Sequence, residues 1–157
     1  MECLDVLYKI ATIIIALANI VFAIIIFLRN RQRELVKTLV LDYSINHFYE
    51  YFEKLDRELS RLKSSKVNDD LKKEIEKNIQ SLGLTFEQRF IDLFLLINPK
   101  LHTELKNKVD DMVGKIMESI FDEGINIYVD SQYNDRIGNV MIRAKASIIK
   151  LLFEKSK

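Results

Sequence analysis

The sequence predicts an all-α protein: an N-terminal transmembrane helix followed by a small cytosolic helical bundle. Three observations carry this expectation. From Ile10 to Leu28 nineteen residues carry no formal charge. At ~1.5 Å rise per residue such a helix is roughly 28 Å long, close to a ~30 Å hydrocarbon core. Beyond Leu28, apolar residues recur at three- and four-residue spacing, the period of amphipathic helices. Only Ile125, Ile127 and Val129 alternate as a strand would, and without a second such run to pair with they are expected as helix or irregular coil.

Two segments follow: residues 1–28 as the anchor and 29–157 as a cytosolic sensor and oligomerisation domain, of a length that suits one core. Arg29, Arg31, Arg33 and Lys37 follow the apolar run, whereas Lys9 before it is offset by Glu2 and Asp5. By the positive-inside rule the N-terminus is expected outside and the large C-terminal part in the cytosol. The same four cations are expected to attract anionic lipid headgroups. A cleaved signal peptide is disfavoured, because a basic leader is lacking and apolar sequence continues for ten residues past Ala18.

Within the anchor, Thr12, Ala16, Asn19 and Ala23 are spaced by four, three and four, which puts them on one helical stripe. An amide at mid-span is poorly placed against lipid, and a neighbouring helix can pair it. The expected partner is a second copy of this chain, with the seam continuing through Ile26 and Asn30.

The next helix is expected to continue the anchor from about Arg29 to Lys63, with Leu35, Leu39, Tyr43, His47, Tyr51, Leu55 and Leu59 as its apolar stripe and Val36, Val40, Phe48 and Phe52 beside it. In the run His47–Phe52 the inward set is His47, Phe48, Tyr51 and Phe52, with Tyr49 outside and His47 a core histidine. Lys63-Ser64-Ser65-Lys66 breaks the period, and Asn68 or Asp69 can cap a helix carrying Leu71, Ile75, Ile79 and Leu82 that Gly83 ends. Thr85 with Gln88 has capping-box spacing before a very apolar helix from Phe86 to Ile97, expected at the centre of the core. Asn98-Pro99 supplies a cap and a first-turn proline for a helix running to about Gly124, and residues 135–154 form the last helix.

Catalytic chemistry is not legible. His47 and His102 lack any HExxH relation, and Cys3 is alone, which excludes an intramolecular disulfide and gives no basis for a metal site. Asp130–Asp135 has oxygen-bearing side chains at alternate positions but lacks the glycine and glutamate of a calcium loop, so it is expected as a turn and helix cap. No phosphate-cradling glycine loop or nucleophile elbow occurs. The expectation is a protein that is not an enzyme, takes no cofactor and binds no metal. A net charge of +1 is unlike that of a protein that binds long nucleic acid.

One local feature stands out. Residues 136–157 hold six basic side chains against the single acid Glu154, and Arg136, Asn139, Arg143, Ser147 and Lys150 are spaced by three, four, four and three. Such a face suits an anion with hydrogen-bonding bases, since guanidinium groups take phosphate bidentately and amides read base edges. In a symmetric oligomer several such faces can surround one ligand.

With its span from Ile10 to Leu28, its Arg29–Arg33 flank and its Arg136, Arg143, Lys150 face, the chain resembles in layout the small single-pass bacterial membrane effectors of antiviral defence. Those attached to type III CRISPR systems and activated by cyclic oligoadenylate are the nearest in plan. The resemblance implies a homo-oligomer in a bacterial inner membrane whose cytosolic domain binds a cyclic oligonucleotide and thereby perturbs the transmembrane helices. The alternative is a membrane-tethered helical scaffold that recruits a protein partner without a ligand switch.

Overall fold

A computed structural model describes residues 2–63, 68–122 and 129–156. The chain is all-α, and among the described residues there is no strand. Ile125, Ile127, Gly124 and the break at 64–66 lie outside the described residues.

The first helix, α1, runs without interruption from Glu2 to Thr38 and so crosses the boundary between anchor and bundle as one rod. Within Thr12–Thr38 an 18-residue window reaches a mean hydropathy of 2.5, long and apolar enough to cross a membrane. Nothing in the bundle covers the apolar part: Ile13, Leu17, Phe22 and Leu28 are all more than half exposed. Only near its end does α1 meet the bundle, where Val36 is buried and the helix packs on α6 (Asn139–Ser156).

A π-helical turn, Leu39–Ser44, joins α1 to α2 (Ile45–Ser60), so the backbone stays helical to Lys63 as expected but does not stay α-helical. The buried Ser44 hydroxyl donates to the Leu39 carbonyl five residues back, the register of a π turn. The wider turn explains a difference from the expected stripe. Val36, Val40, Ser44, Phe48 and Phe52 are each four apart, and on an unbroken α-helix each such step drifts about 40°. The π turn absorbs that drift and keeps the five directed inward. Leu35 and Tyr43, expected on the stripe, are therefore 43% and 68% exposed. His47 also departs from the expected core position, standing half-exposed with Nδ1 3.6 Å from Glu50 Oε2. Phe48, Tyr51 and Phe52 are buried and Tyr49 lies outside, as the pattern required.

Asn68 caps α3 (Asp69–Phe86), its Oδ1 accepting from Leu71 N at 2.9 Å. Gly83 does not end this helix. It lies inside α3, which passes into a π turn at Glu87–Ile91 and a 3-10 turn at Asp92–Phe94, so two expected helices are one. Thr85 accordingly does not cap; its Oγ1 donates to Ser81 O, one turn back within the helix. The reason is the uninterrupted core line Ile75, Ile79, Phe86, Phe90 and Phe94, since burial outweighs the ~1 kcal/mol helix penalty of one glycine. Phe86 stacks on Tyr51 at 4.2 Å and on Phe90 at 4.8 Å between centroids. The Phe86–Ile97 stretch is not buried all round, because Leu95 and Leu96 turn outward.

Asn98 caps α4 (Pro99–Phe121) through Leu101 N at 3.1 Å, with Pro99 in the first turn. After 129 the last helix begins at Asp130 as α5 (Asp130–Tyr133) and continues through a third π turn, Asn134–Gly138, into α6. Asp130–Asp135 is thus the first stretch of the helix rather than a turn before it.

The helices alternate in direction. Glu58 near the far end of α2 and Arg61 just beyond it meet Asn78 and Glu74 in the middle and early part of α3, while Lys108 and Glu104 on α4 meet Ser147 and Lys155 on α6. Hence α2 leads away from the anchor, α3 returns, α4 leads away and α6 returns. The residue 92–98 turn and the C-terminal end of α6 therefore share the anchor's end of the bundle.

Candidate functional site

The anion-binding candidates lie along the outer side of the last helix. Arg136, Asn139, Arg143 and Lys150 are exposed and Ser147 is half-buried, but they do not converge on one cavity. Arg136 sits in the third π turn, which rotates it relative to the four residues on α6. It lines a concavity with Lys115, Glu118, Asp122 and Asp135, so that end of the face is predominantly acidic. Asn139 Nδ2 donates to Asp135 Oδ1 at 3.4 Å, and Lys150 Nζ lies 3.8 Å from Glu154. Arg143 makes no ion pair among the described residues.

Packing adds a cation that spacing within one helix could not reveal. Lys108 Nζ on α4 donates to Ser147 Oγ at 2.6 Å. The basic part of the face therefore centres on Arg143, Ser147 and Lys150 with Lys108 beside them. On the next side of α6, Lys145 Nζ lies over the rings of Tyr49 at 5.1 Å and Phe52 at 5.6 Å, a cation–π arrangement.

A second cationic locus forms where the anchor enters the bundle. Arg29, Gln32, Arg33 and Val36 of α1, Asn98 before α4, and Glu154 and Lys155 of α6 line a concavity of about 180 Å³. The basic flank supplies Arg29 and Arg33. Asn98 and Lys155 join them only through the fold, although Lys155 also lies 3.4 Å from Glu104. Arg31 and Lys37 stay exposed outside that concavity.

Thr12, Ala16, Asn19 and Ala23 are all exposed on α1. Lys37 lies eighteen residues beyond Asn19, five full turns at 3.6 residues per turn, and so shares its face. The buried Val36 lies about 100° around the helix from Lys37, so that face points away from the bundle core. It leads instead into an apolar groove of about 320 Å³ lined by Lys37, Val40, Ile45, Tyr49, Ile149, Leu152 and Phe153.

No group of three or more His, Cys, Asp or Glu among the described residues is placed to hold a metal ion. Comparison with known families, curated proteins and solved structures finds nothing that matches this chain.

Proposed function

We propose that the chain is a non-enzymatic, single-pass, self-associating effector of a bacterial inner membrane, with its bundle in the cytosol. The observation that carries this reading is the unbroken α1. One rod of 37 residues joins a stretch apolar enough to span a bilayer to the buried Val36, so repacking of the bundle and tilt or rotation of the span are mechanically linked. Self-association is supported by the outward face through Asn19, Asn30 and Lys37 and by its continuation into the apolar groove beside Tyr49 and Phe153.

An anionic ligand, a cyclic oligonucleotide in keeping with the layout of the antiviral effectors, would be held between copies at Arg143, Ser147 and Lys150, with Arg136 and Asn139 at the edge. The exposure of Arg143 and the neighbouring Lys108 support this position. A ligand can act only by favouring one arrangement of anchors over another.

The test is the thermal stability of the full chain in detergent against linear and cyclic oligoadenylates. A ligand at a hundredfold its Kd stabilises by about 2.7 kcal/mol, and Arg143→Glu should remove that shift. No shift with any oligonucleotide would leave the second reading, a membrane-tethered scaffold that recruits a protein. That reading is favoured by the concave surface between α2 and α6 lined by Tyr49, Phe52, Met141 and Ile142.

A further inference from the structure

We infer that the anchor's end of the bundle is itself a lipid-contact surface, in which the Leu95–Leu96 turn enters the headgroup layer beside the cationic concavity of Arg29, Arg33 and Lys155. This rests on the reading of α1 as a span and adds a second point of membrane attachment.

The position of the turn follows from the fold. Asn98 shares a concavity with Arg29, Gln32, Arg33 and Val36. At ~1.5 Å per residue, residues 29–36 lie roughly 2 to 12 Å beyond Leu28 along the helix axis. The headgroup layer on each side of a bilayer is about 5–8 Å thick. The turn therefore lies within reach of the lipid surface if α1 crosses the membrane.

Leu96 is 93% exposed, more than any large apolar side chain described between Ile13 and Leu28, where Phe22 is highest at 66%. It is not a side chain that has missed a partner through a loose turn. Phe94, two residues earlier, is fully buried and fixes the base. Leu95 N donates to Asp92 O at 3.1 Å, Ile97 N to Phe94 O at 3.2 Å and Asn98 N to Phe94 O at 2.8 Å. Three of the turn's backbone N–H groups are thus paired within it, which lowers the cost of entering a poorly hydrated layer.

The surrounding charge selects an anionic surface. Glu154 shares the concavity and Glu104 pairs with Lys155, so the positive excess is carried by Arg29 and Arg33, while the exposed Arg31 and Lys100 are matched by the exposed Glu34 and Asp92. Two leucines at the tip with long cationic side chains around them is the arrangement of an interfacial membrane contact.

The chain contains no tryptophan, which makes a direct test available. Full chains carrying Leu96→Trp, Phe22→Trp in the span, or Val129→Trp at the opposite end of the bundle are reconstituted into phosphatidylcholine vesicles with and without phosphatidylglycerol. Emission is then read against acyl-chain-brominated lipid. Leu96→Trp is expected to shift to the blue and lose intensity to the brominated lipid, more strongly with phosphatidylglycerol, while Val129→Trp does neither. If Phe22→Trp is quenched but Leu96→Trp behaves as Val129→Trp does, the inference is overturned and the span stands. A blue shift of Leu96→Trp without quenching would mean protein covers the turn, which also overturns it. An unquenched Phe22→Trp removes the span and this surface with it.

Discussion

Two apolar stretches of this chain have opposite fates. Between Ile13 and Leu28 the isoleucines, leucines and phenylalanines stand about half to two-thirds exposed, whereas Phe86, Phe90, Ile91 and Phe94 are almost wholly buried. Residue chemistry does not separate them. What differs is length and the distribution around the helix: the first is long and apolar enough to cross a bilayer, while the second alternates with Glu87, Arg89 and Asp92 and packs in the core. One stretch is thus buried by neighbouring helices, while the other is left uncovered by the bundle and is long and apolar enough to cross a bilayer.

The sharpest way to break that distinction is truncation in each stretch. Phe90→Ala should cost the bundle about 3–5 kcal/mol in a denaturant titration in detergent, through lost contacts and the cavity left behind. Phe22→Ala should leave the bundle transition where it was. Equal losses for both would show that the anchor packs on the bundle after all.

Alkaline titration of one buried phenol probes the core side. Burial, assisted by the negative charge of Asp110, raises the Tyr51 phenol well above its ordinary value. In the unfolded chain that group loses its proton near pH ~10, so above that pH the unfolded state binds fewer protons than the folded one. Stability should then fall with rising pH, by up to about 1.4 kcal/mol per pH unit from this group. Tyr51→Phe should reduce the slope as followed by circular dichroism.

On the anchor side, Asn19→Leu should weaken self-association by about 0.6–2 kcal/mol, roughly three- to thirtyfold in the dissociation constant. Sedimentation in detergent reads this directly, and an unaltered oligomer would remove the seam. A smaller effect belongs to the helix starts. Asn98→Ala should cost about 1 kcal/mol by removing the acceptor for Leu101 N. Smallest of all, breaking the exposed Arg57–Glu53 pair at 3.0 Å should change the bundle's stability by no more than about 0.5 kcal/mol.

The caps and the long helices were legible because their signals are local. Asn68 and Asn98-Pro99 act within one turn of where they stand, and the period from Leu101 to Ile120 needs only its own helix. Gly83 and the Thr85/Gln88 pair misled for the complementary reason: both are local signals for a boundary, and the aromatic line from Phe86 to Phe94, packed on Phe48 and Tyr51, overrode them. The four-residue spacing from Val36 to Phe52 that the first π turn accommodates could not be read as one, because a drift of the apolar phase looks the same whether the helix twists or widens. At the candidate sites, the sequence showed the face Arg136–Lys150 and the flank Arg29–Arg33. It could not show that Lys108 stands beside Ser147, or that Asn98 and Lys155 gather around Arg29.

Sequence by itself determined the helical class, the one stretch apolar enough for a bilayer and the cations that follow it, since each depends on residues near one another along a single rod. Tertiary structure alone decided which aromatic side chains meet, where the helices change pitch, and that the Leu95–Leu96 turn comes back to the level of Arg29. Those depend on how α2, α3, α4 and α6 alternate in direction, and long-range packing of that kind is set by the sum of many weak contacts that no short window contains.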